Sequence, residues 1–391
     1  MPRTIMLSRT IVTLGAAVAL TTLGCDSNVI APLSPQPPAL NLCPITDPSC
    51  HPTPTPTPGP NSKFGVVATG LAGEGMAPTE VRRLLGYAKR AGISIIRHTV
   101  FWYEAQPTVP AFDPSYLAQL DTFVKAAADS GIIVYLNPYG SPLWARCADP
   151  ACTGQATTEK WPPHPNHILA WNDFISELMA RYDGSSGHPR VTYWGFWNEP
   201  NTDFLVTTGY PSWIEAYRPI FEWGVDAARR YGRVVVGPEL GWGPSGRGLS
   251  PETEFRNFVF GLGYWLQPQD ILSTHFYGDA AGLNAAMPQL HSYAVEGQLG
   301  DREIWVTEMS DGAADREGSD DIYQAQTVTS MYQAAMATSV PQWTRSFKYD
   351  LFWDDNMKLI RDAWTPSPNP RPAYYCMEAL AHNTTLPWEC Q

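Results

Sequence analysis

The sequence predicts an α/β protein of the (β/α)8 TIM-barrel class, with enlarged loops after its strands and a disordered proline-rich linker ahead of it. Three observations lead there. A unit of amphipathic helix, glycine and short apolar strand recurs along residues 63–391, and the strands number eight. The chemistry-bearing residues gather at the carboxyl ends of those strands. The alternative is a doubly wound open sheet, but the turn Gly70-Leu-Ala-Gly73-Glu-Gly75 lacks the spacing of its phosphate-binding fingerprint.

The elements follow in order. Phe64-Gly-Val-Val-Ala-Thr69 reads as the first strand. Pro78 to Ala91 places Val81, Leu84, Leu85 and Ala88 at helical spacing, with proline near the start and Gly92 just past the end. Ile93-Ser-Ile-Ile96 is the second strand. Leu117, Leu120, Phe123, Val124 and Ala127 form the next helical stripe, which stops at Gly131 before the strand Ile132-Ile-Val-Tyr-Leu136. Further strands are expected at Val191–Trp197, Val234–Gly237, Ile271–His275, Glu303–Thr307 and Phe347–Phe352. Helices are expected near 167–182, 211–231, 251–262, 283–296, 320–338 and 371–382.

Composition narrows the function. The 391 residues are 44% hydrophobic and 16% charged, against about 25% charged in an average domain. A net charge of −12 argues against nucleic acid as a partner, because a polyanion needs basic patches. Two counts stand out, 37 prolines and 15 tryptophans. Eleven of those prolines lie between Pro32 and Pro60, ending in an alternating Pro-Thr run. Such a segment favours an extended polyproline conformation and cannot bury a core. Residues 25–62 are therefore expected to be a tether, able to reach roughly 100 Å at ~3.1 Å per residue.

Arg3 and Arg9 precede a short apolar run, Ile11 to Leu20, which is too short for a stable membrane span. The run ends in Thr22-Leu23-Gly24-Cys25, which resembles a bacterial lipoprotein signal, with Thr22 where that motif usually has leucine. The resemblance implies cleavage after residue 24 and lipid on Cys25, leaving a mature charge of −14. The expected location is the outside of a bacterial envelope membrane, periplasmic or extracellular, held by lipid alone. The alternative is ordinary secretion with Cys25 left over. Six other cysteines fall into sequence-local pairs, Cys43 with Cys50, Cys147 with Cys152 and Cys376 with Cys390, which suits an oxidising compartment. No Cys-x-x-Cys spacing or His-x-His ligand set is present, so neither a metal nor a cofactor is expected.

The fourth strand ends in Trp194-Gly-Phe-Trp-Asn198-Glu199-Pro200-Asn201 and the seventh in Ile304-Trp-Val-Thr307-Glu308-Met-Ser310. Two glutamates thus close apolar strands on the same mouth of the barrel. Cleavage of a glycosidic bond needs two carboxyl groups, one protonated to assist the leaving oxygen and one ionised to attack the anomeric carbon. Their environments must hold their pKa values apart. On these motifs, residues 64–391 resemble the retaining glycoside hydrolases of clan A.

The resemblance implies the following roles. Glu199 is the acid/base, and Asn198 binds the sugar 2-hydroxyl. Glu308 is the nucleophile, and Arg97 in Ile96-Arg97-His98 keeps it ionised. The sixth-strand His275-Phe276-Tyr277 matches a His-x-Tyr motif, with Tyr277 as a partner of Glu308. Trp353 in Leu351-Phe352-Trp353 matches the tryptophan on which the sugar rests. Within the clan these motifs look most like family 39, with families 5 and 30 as rivals. The expected substrate is an oligo- or polysaccharide, with β-linkages, and the expected state is a monomer. Two further readings stay open: a surface carbohydrate-binding lipoprotein without turnover, and an envelope transglycosylase.

Tryptophan adds a second layer. Trp102, Trp144, Trp161, Trp197, Trp242 and Trp353 fall at or just after strand ends, where aromatic rings can stack on sugar faces. Trp102 and Trp144 are the preferred subsite candidates, about half of the set being expected to serve the core instead. Glu239, in Gly237-Pro238-Glu239-Leu240, is read as substrate-binding or structural. Asp354 and Asp355 are read as residues of a solvated loop.

Overall fold

The computed structural model describes residues 63–391, apart from 74, 110, 147–158, 203–211, 243–248, 311–320, 353–356, 364 and 366. The eight strands are β1 (Phe64–Val67), β2 (Ile95–Phe101), β3 (Ile133–Tyr139), β4 (Tyr193–Trp194), β5 (Val234–Leu240), β6 (Ile271–Tyr277), β7 (Glu303–Ser310) and β8 (Trp343–Lys348). They close in chain order into one parallel barrel, β8 pairing back onto β1. A two-stranded antiparallel ribbon, β9 (Ile360–Arg361) and β10 (Asn369–Pro370), follows.

Helices fill the connections: α1 (Pro78–Arg90), α2 (Trp102–Ala105), α3 (Pro114–Asp129), α4 (Leu143–Arg146), α5 (Ile168–Arg181), α6 (Trp213–Arg230), α7 (Pro251–Gly261), α8 (Ala280–Glu296), α9 (Asp321–Met336) and α10 (Pro372–His382). Their starts are chemically marked. Asp113 accepts the backbone N–H of Ser115 at 2.7 Å and of Tyr116 at 3.0 Å, and Asp279 accepts that of Gly282 at 2.8 Å. Each cap satisfies donors that have no partner within the helix.

Two apolar layers hold the barrel. Inside it, each strand sends one side chain to a common plug: Val67, Ile95, Tyr135, Tyr193, Val236, Ile271, Trp305 and Phe347. Outside, the second faces of the strands pack on the helix stripes, for example Leu84, Leu85 and Ala88 of α1. The plug closes the barrel floor, so polar chemistry is displaced to the upper rim, where the strands end.

The eighth strand lies earlier than its apolar run suggests, at 343–348 instead of 347–352. Thr344, Arg345 and Ser346 break the run, yet Arg345 is buried against the Trp305 ring at 5.2 Å and Ser346 accepts the Trp343 indole N–H at 3.0 Å. The fourth strand is reduced to two ladder residues. Of the expected disulfides, Cys376–Cys390 is formed and ties α10 to the last turn of the chain. Cys25, Cys43, Cys50, Cys147 and Cys152 lie outside the described residues. Among the described residues, no helix is long and apolar enough to cross a membrane.

Candidate active site

The rim of the barrel collects Arg97 from β2, Asn198 and Glu199 from the loop after β4, Glu239 from β5, His275 and Tyr277 from β6 and Glu308 from β7. Local backbone chemistry aims them. Trp197 and Glu199 both take left-handed φ values, 81° and 46°, in the turn that follows β4. Such values cost a non-glycine residue energy and persist only where neighbours enforce them. Here the enforcement is visible: the Glu199 N–H donates to the Glu239 carbonyl at 2.8 Å. One turn on, Asn201 exchanges two hydrogen bonds with Gly241, each 2.9 Å, and so stitches the β4 loop to the end of β5.

Strand irregularities do the rest. The β6–β7 register slips between Thr274 and His275, which sets His275 level with Glu308. Another slip, between Gly237 and Leu240, turns Glu239 into the barrel with a φ of 58°. Extra residues of this kind re-aim side chains at barrel rims.

Arg97 is the hub. It is buried, and its guanidinium reaches three partners: Nε to Glu239 at 2.7 Å, one terminal nitrogen to Glu308 at 2.7 Å, and the other to the Asn198 carbonyl oxygen at 2.6 Å. Burial alone would favour its neutral form, but the Glu239 and Glu308 charges raise its pKa above the ordinary value. Glu308 is 6% exposed and accepts a second hydrogen bond, from the Tyr277 hydroxyl at 2.6 Å. Glu199 is more open, its side chain 21% exposed, and meets His275 Nδ1 at 2.8 Å.

His275 is fully enclosed among three carboxylates. Nδ1 lies 2.8 Å from Glu199 and 3.3 Å from Glu308, and Nε2 lies 3.4 Å from Glu239. Burial opposes its charged form, but the Glu308 charge and the hydrogen bonds to Glu199 and Glu239 win, raising its pKa to about 9. Glu239 is 0% exposed. Burial would push its pKa up, but Arg97 and His275 hold it down to about 2. Tyr135 from β3 adds its hydroxyl against Glu239 and Arg97, and burial with the Glu239 charge keeps it protonated far into alkali.

Suitable donor atoms of Glu199, His275 and Glu308 all lie within 4.8 Å of one another. Such a trio can hold a cation in principle. In the structure the same atoms are engaged with one another, His275 Nδ1 standing 2.8 Å from Glu199. The set thus puts one partly open carboxyl, Glu199, and one enclosed and doubly hydrogen-bonded carboxyl, Glu308, on either side of His275.

The tryptophans divide. Trp102 is 0% exposed, packed 5.4 Å from both Trp171 and Phe174, and its indole N–H donates to Gln106. It offers no face to a ligand, which corrects its reading as a subsite. Short helix α2 turns the ring back under α5 instead of out over the mouth. Trp144 is half-buried and stands edge-on to Trp102 at 5.5 Å. Trp197 is buried as well, against Tyr139 and Trp171. Trp242 is half-buried, 5.0 Å from Phe276, and walls a groove of about 440 Å³ beside Tyr277 that Glu252, Asp279 and Gln289 also line. Trp353, Asp354 and Asp355 lie outside the described residues.

A closed parallel barrel of eight strands, with a glutamate pair, an arginine, a histidine and a tyrosine gathered on one rim, defines a clan A glycoside hydrolase fold. Residues 64–344 match the family model for cellulase, glycosyl hydrolase family 5, and the chain belongs to that family. Similar solved structures include a family 39 glycoside hydrolase from Bacteroides cellulosilyticus WH2, with a TM-score of 0.58 and 20% identity over 82% of this chain and 64% of that one. A broad-specificity endoglucanase from an uncultured bacterium gives 0.57 and 14%, covering 83% of this chain and 95% of that one. An exo-beta-1,4-mannosidase from Opitutaceae bacterium strain TAV5 gives 0.56 and 11%, covering 82% of this chain and 59% of that one. This chain thus spans less than two thirds of the first and third of these. No curated protein matches the chain. The family is therefore 5, one of the rivals to the family 39 reading suggested by the strand-end motifs.

Glu239 is the residue of this cluster that sequence reasoning left undecided between substrate binding and structure. Its signal was a carboxylate directly after an apolar strand. Its partners come from β2, β3 and β6, so no local pattern could name them.

Proposed function

We propose that this glycosidase cleaves β-linked oligo- or polysaccharide with retention of anomeric configuration, using Glu308 as nucleophile and Glu199 as acid/base. The observation that carries the reading is the pair of carboxylates with oxygens within 4.8 Å, in unlike surroundings. Retaining enzymes hold their carboxyl groups about 5–5.5 Å apart, whereas inverting ones need about 6.5–9.5 Å to admit a water.

In the first half-reaction an oxygen of Glu308 bonds to the anomeric carbon. The glycosidic C–O bond breaks, and its electron pair leaves on the oxygen, which takes the Glu199 proton. In the second, water attacks the anomeric carbon, Glu199 takes its proton, and the ester bond breaks to restore the Glu308 carboxylate. Arg97 and Tyr277 suit Glu308 to this task, because both donate to its carboxylate and fix its orientation. The Asn198 carbonyl oxygen is taken by Arg97, which turns its amide into a donor for the sugar 2-hydroxyl. Trp144 at the rim, the Trp242 groove and Trp353 are the proposed supports for further sugar rings.

We also propose that the enzyme is exported and held on the bacterial envelope, on its periplasmic or extracellular side, by a lipid at Cys25 and the Pro-rich tether. Labelled palmitate should enter the full chain and be lost on Cys25→Ala. Catalysis is tested by Glu308→Ala, which should abolish turnover, with added azide restoring it and yielding the inverted glycosyl azide. Full activity without azide refutes the assignment. Proton NMR of the first product formed should show the substrate's own anomeric configuration.

A further inference from the structure

The site contains one carboxylate more than double displacement uses. We infer that Glu239 is a positioning residue that keeps His275 cationic between the two reacting glutamates, so that the buried cations and anions of the site stay matched through both half-reactions. The inference rests on the double-displacement reading above.

Consider the groups that face one another. His275 meets Glu199 from the β4 loop, Glu239 from β5 and Glu308 from β7. Glu239 meets Arg97 from β2, Tyr135 from β3 and His275 and Ser273 from β6, and Tyr217 of α6 also lies within its field. Glu239, Arg97 and His275 are all shut off from water, so an unbalanced charge among them is costly. Before the first step, with Glu199 protonated, the cations Arg97 and His275 are matched by Glu239 and Glu308. After it, Glu308 is a neutral ester and Glu199 has become the anion. The two cations are again matched, now by Glu239 and Glu199.

Negative charge has therefore moved from Glu308 to Glu199, and His275 Nδ1 sits between the two, at 3.3 Å and 2.8 Å. A cationic imidazole there donates to whichever oxygen carries the charge, without leaving its place. A neutral imidazole would donate more weakly, since charge-assisted hydrogen bonds are the stronger kind. Glu239 sets the difference, because its carboxylate is the group that faces Nε2. The Ser273 Oγ accepts the Glu239 backbone N–H at 3.0 Å and anchors the bulge that aims the carboxylate.

The test reads His275 directly and needs no turnover. Nitrogen-15 NMR of the resting enzyme should show both ring nitrogens of His275 protonated at pH 7. A neutral His275 there overturns the inference, whatever the enzyme's activity. In Glu239→Gln the His275 titration should move down by at least about one pH unit, and the alkaline limb of kcat should move with it. Its kcat should fall about tenfold to a hundredfold while KM changes little, and Glu239→Asp should recover the titration in large part. A merely structural Glu239 predicts a lower melting temperature with an unmoved His275 titration, and that result also overturns the inference. Failure of the double-displacement reading would instead appear as a wild-type enzyme that gives inverted product while His275 titrates as stated.

Discussion

Gly241 offers the sharpest test of how closely the Glu199 carboxyl is held. A Cβ built on Gly241 would stand 2.8 Å from the Glu199 carboxyl carbon and 2.9 Å from the Thr202 methyl. Apolar and carboxyl carbons settle at about 3.5–4.0 Å, so Gly241→Ala must drive the Glu199 carboxyl back by roughly 0.7–1.2 Å. The backbone can accept alanine at this position, so the effect is one of contact alone. A misplacement of about 1 Å costs on the order of a hundredfold in rate, or ~2.7 kcal/mol of barrier. The loss should depend on the leaving group. For an unactivated disaccharide, kcat/KM should fall about a hundredfold, because in the proposed mechanism the departing oxygen takes the Glu199 proton. For a dinitrophenyl glycoside, whose leaving group departs without a proton, kcat/KM for the first half-reaction should fall far less. Equal losses on both substrates, or none on either, would refute the assignment of Glu199 as the acid.

Three other outcomes follow from the same geometry. Trp102→Ala should lower stability by about 3–5 kcal/mol in a denaturant titration and leave oligosaccharide KM nearly unchanged, since the ring is buried. Breaking the Cys376–Cys390 link with serines opens a loop with a sequence separation of 14, which should cost about 3 kcal/mol and appear as a lower melting temperature. Stability should also depend on pH with a defined sign. His275 is raised from 6.5 to about 9, so its contribution is whole below pH 6.5 and is lost as pH rises toward 9. Glu239 is lowered from 4.5 to about 2, so its contribution is whole above pH 4.5 and is lost as pH falls toward 2. A melting-temperature scan should therefore be highest between these limits, and Glu239→Gln should flatten both shoulders.

Much of the molecule was legible in its sequence because it is encoded locally. The helix–glycine–strand unit is a pattern of side-chain period and turn chemistry, and eight of them closed into the barrel that the repeat implies. Glu199 and Glu308 could be placed on one rim for the same reason: in a parallel barrel every strand ends on the same side. The Arg97, His275 and Tyr277 positions followed from their strand ends, and all converge on the glutamates. The eighth strand was harder to place, because Arg345 and Ser346 are polar in sequence and buried in the fold, where Trp305 and Trp343 supply partners.

The sequence by itself determined the barrel, the family of chemistry and the two carboxylates at its mouth. Only the tertiary structure decided which aromatic rings face outward and which groups surround Glu239. Trp102 and Trp242 both follow strand ends, yet one lies under α5 and the other walls a groove, because exposure depends on what packs above a ring. Glu239 reads as one acidic residue after an apolar run. Its meaning comes from Arg97, Tyr135 and His275, which are remote in the chain and are brought to it by barrel closure and two register slips. Local spacing carries no information about such partners, since an electrostatic environment is the sum over everything the fold brings near.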